Sequence, residues 1–142
     1  MKHVLHNPVF NALSSGDKQL SLGTDAVKFF DETVSPFAGF EESYTKGFAD
    51  LHELLPPGRK ILYAIPTPIT LPTGWQVQHE IKGLQFVYEG DLTIKNEFDN
   101  VVPLTEMHIE EMVALATLTK PGPFATGTIK FGFYHGIFDK DK

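Results

Sequence analysis

Prolines and glycines set the first limit on how this chain folds. Pro56-Pro57-Gly58 and Pro121-Gly122-Pro123 are two stops that no helix crosses. Proline lacks the N–H that a helix needs, and it pushes its predecessor toward extended backbone. Between them, "PTPITLPTG" (66–74) packs three prolines into nine residues and reads as loop. Each of the three pieces so defined has room only for short elements.

The first piece opens with "HNPVFNALSSG", which predicts a short helix with Asn7 as N-cap, Pro8 at the first helical position and a stop at Gly16. "AVKFFDETV" (26–34) predicts a short strand and "SPFAGFEES" a loop. From Tyr44 to Leu55, Phe48, Leu51, Leu54 and Leu55 share one helical face. In the second piece "KILYAI" (60–65) reads as a buried strand. "WQVQHEI" alternates with Trp75, Val77 and His79 on one side, and "GLQFVYEG" predicts another strand, with Gly83 as a bulge or turn between them.

The rest of the second piece holds the clearest helix. "DNVVPLT" (99–105) predicts a strand that leads to Thr105 as N-cap. Glu106, Glu110 and Glu111 fall in the first two turns, where the helix dipole favours negative charge, and Lys120 falls at the other end. Ile109, Met112, Val113 and Ala116 form an i, i+3, i+4, i+7 stripe expected to be buried against a sheet. "FATGTI" predicts a second short helix or a turn, and Phe131 to Phe138 a closing strand before a polar turn from Asp139 to Lys142. Strands and helices in this order predict the α/β (α+β) class, a mixed sheet with packed helices.

A chain of 142 residues fits one domain of ordinary size and buries a real core. Its twelve phenylalanines supply that core. A net charge of −6 with a single arginine, Arg59, argues against nucleic acid and against an anionic membrane surface. There is no cysteine, hence no disulfide framework and no thiolate metal site, which suits a cytoplasmic location. No apolar run reaches the ~20 residues of a membrane span, and the N-terminus lacks the pattern of a signal peptide.

Self-contained catalytic motifs are absent. His108 precedes Glu111 by three residues on the predicted helix, but no second histidine completes an H-E-x-x-H set, so a solvated helix face is the better reading. Glu41-Glu42 and Glu110-Glu111 are adjacent, and adjacent residues do not face each other across a cleft. No serine stands in a G-x-S-x-G elbow. For Trp75, the only tryptophan, core packing is preferred over stacking on a ligand.

The stretch from Leu118 to Lys142, with the helix before it, carries more information. Leu118, Thr119, Pro121, Gly122, Pro123 and Phe124 are followed by Thr128, Gly132, Tyr134, Gly136 and Ile137. This resembles the opening strand–helix–helix–strand of the GNAT superfamily of acyl-CoA N-acyltransferases. It is similar in particular to a bacterial branch with an extra N-terminal region, whose segments "NPVFNAL", "VSPFAGF", "FADLHELLPPG" and "LPTGWQV" also resemble. The resemblance implies an accessory α/β region at 1–97 and the opening of a transferase core at 98–142. It implies an acetyltransferase moving an acyl group from acetyl-CoA to an amine, with Thr119, Lys120, Phe124 and Thr128 as acceptor-site or cleft-lining residues.

One departure from the family matters. Its members hold the acyl-CoA pyrophosphate on backbone N–H groups in a [RQ]-x-x-G-x-[GA] turn. None of Gln19, Gln76, Gln78, Gln85 and Arg59 has glycine three residues on. The chain is therefore expected to be the N-terminal portion of such an enzyme, with no cofactor site of its own and no activity alone. Its predicted terminal strand is expected to pair with the missing transferase half or with another copy through residues 131–138. The alternatives are a non-catalytic binding or interaction module with an open sheet edge, and a binder of small ligands in its aromatic interior.

Overall fold

The computed structural model describes residues 3–90 and 100–139. The predicted boundary at 97/98 and the last residues of the polar turn lie outside them. Helix α1 (Pro8–Ser14) is followed by β1 (Leu22–Gly23), β2 (Val27–Phe29), β3 (Ala38–Phe40) and helix α2 (Gly47–Leu54). After the proline-rich loop come β4 (Val102–Pro103), helix α3 (Ile109–Thr119) and β5 (His135–Gly136). The class is α/β, built from small antiparallel sheets with packed helices.

β1, β2 and β3 form an antiparallel sheet in that order, with Val27 opposite Phe40 and Phe29 opposite Ala38. The strand period of two puts Val27, Phe29, Ala38 and Phe40 on one face. These join Leu51 and Leu55 in one buried cluster, on which Phe48, Tyr63 and Trp75 pack. The opposite face carries Gly39, and α1 crosses it. A Cβ on Gly39 would stand 2.9 Å from the Phe10 backbone nitrogen, so this close crossing needs glycine. A second cluster joins α1 to the end of β2 through Val9, Leu13, Phe30 and Val34.

The sequence placed a loop at 35–43, yet β3 is there and is buried at all three positions. Pro36 hides it: proline ends strands in general, but here it precedes β3 and its carbonyl accepts the Leu62 N–H at 3.0 Å. "KILYAI" makes only a parallel bridge, Leu62 to Phe37, rather than a full strand. The strands predicted at 75–81 and 83–90 do not form, and Val77, Ile81, Leu84 and Phe86 are exposed. Alternation makes a strand only where an edge is available to pair, and none is offered to these residues among those described. Trp75 packs on the first cluster and donates from Nε1 to the Phe48 carbonyl at 2.9 Å, as core packing requires.

Asn7 sits at the N-cap of α1 but does not cap it. Its amide instead donates to the Phe40 carbonyl at 2.8 Å, tying α1 to β3. Leu51 of α2 and Leu55 at its C-cap are buried while Leu54 is exposed. In α3 the stripe of Ile109, Met112, Val113 and Ala116 is the half-buried side, but no residue of the helix is buried. The expected burial against a sheet is therefore reduced to partial cover.

The closing strand is two residues long rather than eight. Phe131 ends a 3-10 turn (Thr128–Phe131), and Gly132 and Phe133 both take positive φ, 79° and 58°. Two left-handed residues in succession break an extended run. β5 then pairs antiparallel with β4, Val102 opposite Gly136. A full strand here would put Phe131, Phe133, His135 and Ile137 on one face; instead Phe131 packs on Phe30, and Phe133 is 97% exposed.

Tyr63 stacks on Phe40 with ring centroids 4.9 Å apart. Burial, with the Glu42 charge added, pushes its phenol up to about 12. The folded state thus holds the proton that an unfolded tyrosine releases near pH 10. This contribution is complete below pH 10 and is lost as pH rises through about 12. Phenolate absorbance should lose its latest-titrating component in Tyr63→Phe, and that variant should lose less stability than the parent across this window. A Tyr63→Phe titration identical to the parent's would refute the assignment.

Candidate functional site

The turn after β2 is built by its own polar residues. Asp31 accepts the Thr33 N–H at 2.9 Å and the Thr33 hydroxyl, while its carbonyl accepts the N–H groups of Val34 and Ser35. These two bonds from Thr33 hold the Asp31 carboxyl below the usual carboxylate range, helped by the charges of Lys130 and Arg59. Arg59 closes the turn from behind, donating from Nη2 to the Phe30 carbonyl at 2.9 Å. Its Nε is buried with no partner among the described residues.

Onto this turn docks the segment that follows the Pro-Gly-Pro stop. Gly127 N–H donates to the Thr33 carbonyl at 2.8 Å. A Cβ on Gly127 would lie 2.9 Å from that same carbonyl oxygen, so the contact excludes a side chain. The Thr128 hydroxyl donates to the Val34 carbonyl at 2.9 Å and accepts the Ala125 N–H at 2.9 Å. Phe131 meets Phe30 edge-on at 5.2 Å. Residues from both sides of the predicted boundary thus share one contact.

Beside that contact lies a shallow cavity of about 260 Å³. Val34, Pro36, Pro123 and Phe124 give it apolar walls, and Glu32 and Lys60 stand at it with opposite charges. Of the four residues singled out from the sequence, Phe124 lines this cavity, its ring edge-on to Tyr134 at 6.0 Å. Thr128 is buried beneath with both bonding directions of its hydroxyl in use. Thr119 and Lys120 do not line it. The Thr119 hydroxyl bonds the Leu115 carbonyl of its own helix at 2.8 Å, and Lys120 is the exposed left-handed cap of α3 at φ 49°.

The sequence reading missed Glu32, Pro36 and Lys60. They lie far from Phe124 in the chain, and no spacing rule links them. His108, read as part of a solvated helix face, instead accepts the Thr105 N–H on Nδ1 at 2.9 Å and so closes the start of its helix. A wider surface depression of about 600 Å³ runs past His6, Asn11 and Glu41. Among the described residues no group of three or more histidines or carboxylates is placed to hold a metal ion.

No family model matches the chain, and neither does any curated protein. A solved structure does. The crystal structure of a GNAT-family protein from Novosphingobium aromaticivorans, named for acetyltransferase activity, has a TM-score of 0.78 and 26% sequence identity to this chain. The match covers 98% of this chain and 61% of that one. The chain is GNAT-like. The likeness extends to nearly every residue, so it includes the region before the strand–helix–turn–strand unit as well as that unit. That unit is β4, α3, the turn at 124–131 and β5, with the Pro-Gly-Pro stop between α3 and the turn. Among the described residues no helix is long and apolar enough to cross a membrane.

Proposed function

We propose that the chain is the N-terminal, acceptor-side portion of a cytoplasmic GNAT-type N-acetyltransferase, which moves an acetyl group from acetyl-CoA to an amine. The observation that carries this reading is the cavity walled by Pro123 and Phe124 of the GNAT-like run. Residues 1–97 form the accessory region and 98–142 the opening of the core. Here Phe124 offers an apolar wall to the acceptor, while Thr128 fixes that wall to the Val34 carbonyl. The residues present do not fit acetyl-CoA. The sequence has no [RQ]-x-x-G-x-[GA] turn to give the pyrophosphate a row of backbone donors, so no catalytic step is assigned to this chain.

Titration calorimetry of residues 1–142 with acetyl-CoA should show no saturable binding. A protein that joins this chain to a pyrophosphate-binding turn should release thiol from acetyl-CoA in the presence of amines, and Phe124→Ala should slow it. Micromolar one-to-one binding by residues 1–142 alone would overturn the division of labour. Turnover indifferent to Phe124→Ala would remove the acceptor role.

A second reading, a non-catalytic interaction module, is favoured by the exposed Phe133, Ile137 and Phe138 around β5. The same side chains suit docking of a transferase half or of another copy. Sedimentation of the chain at increasing concentration separates these outcomes.

A further inference from the structure

Glu32 and Lys60 stand at one cavity and yet leave each other alone. Among the described residues neither makes an ion pair or a hydrogen bond. A carboxylate and an ammonium that share a depression without meeting leave a gap that a ligand with both charges fills. The rest of the lining is apolar, from Val34, Pro36, Pro123 and Phe124. At about 260 Å³ the space falls below the ~300–1,000 Å³ of clefts that hold drug-sized ligands, so it takes one small molecule.

We propose that this cavity binds a free amino acid with an apolar side chain. Its ammonium pairs with the Glu32 carboxylate, its carboxylate with the Lys60 ammonium, and its side chain lies against Phe124 and the flanking prolines. Both charged residues are exposed, so each pairing contributes only what a surface ion pair does. Having both charges at one cavity gives selectivity for the zwitterion rather than high affinity. That the bound amino acid is the acetyl acceptor rests on the transferase reading; its binding does not.

The test uses residues 1–142 and three probes, followed by protein NMR shifts at the cavity. The probes are L-phenylalanine, 2-phenylethylamine with the ammonium alone, and 3-phenylpropanoate with the carboxylate alone. Phenylalanine should bind in the millimolar range and about two- to fivefold tighter than either analogue. Glu32→Gln should weaken phenylalanine and phenylethylamine but not phenylpropanoate. Lys60→Gln should do the converse. Phe124→Ala should weaken all three. Both charge variants lie on the surface, so their folding is not at issue. No saturable shift with phenylalanine, or affinities untouched by both charge substitutions, overturns the proposal. Because no acetyl transfer is measured, an inactive transferase leaves this result standing, and a failure here leaves the transferase assay to be read by itself.

Discussion

Phe40→Ala is expected to lower the unfolding free energy by about 3–5 kcal/mol. Phe40 is buried at the end of β3. Its ring stacks on Tyr63 and meets Phe48 edge-on at 5.1 Å. Removing it strips two aromatic neighbours of their partner and leaves a cavity that the short strands on either side cannot close. A domain of this size has only ~5–15 kcal/mol of net stability, so the midpoint in urea should fall steeply. Asn7 acts at the same residue through the backbone, since its amide bonds the Phe40 carbonyl. That bond survives the substitution, so α1 should stay docked as the cluster beneath β3 loosens. A midpoint that hardly moves would mean that Leu51 and Val27 alone hold this face.

Much of the helical content was legible because helices announce themselves locally. Pro8 at the start of α1, the apolar face of α2 and the stops at Pro56 and Pro121 each follow from chemistry within a few residues. Strands were less legible because a strand is decided by its partner. β3 forms at a site that reads as loop, since β2 offers it an edge and α1 and α2 cover both faces. Residues 75–89 alternate well and form nothing regular, since no edge is offered among the described residues. At β5 a strand forms where the sequence predicts one, but Gly132 and Phe133 take positive φ and shorten it to two residues. The site divides the same way. Phe124 came from a contiguous run, whereas Glu32 and Lys60 are brought to it only by the turn that Asp31 and Arg59 build.

Phe30→Ala should cost a similar ~3–5 kcal/mol, but with a consequence that Phe40→Ala lacks. Phe30 is the buried member of the second cluster that touches both ends of the chain. It packs with α1 through Val9 and Leu13, and its ring receives Phe131. Its carbonyl is also the acceptor for Arg59, so it joins the turn to the segment behind it. Without the ring, Phe131 loses its edge-on partner, and the hydrogen bonds that tie the 124–131 segment to the turn are Gly127–Thr33 and Thr128–Val34. Hydrogen bonds of this kind contribute about 0.5–1.5 kcal/mol net each, which is too little to hold an otherwise unpacked segment. The cavity wall at Phe124 would then open locally below the free energy of global unfolding. Amide exchange reads this directly. In Phe30→Ala the Gly127 N–H should exchange faster relative to the Ala38 N–H, which bonds the Leu62 carbonyl within the main sheet region. Phe40→Ala should accelerate Ala38 at least as much as Gly127. Equal acceleration of both amides in Phe30→Ala would show that the segment unfolds only with the whole domain, and that the Pro-Gly-Pro-Phe wall is as rigid as the core.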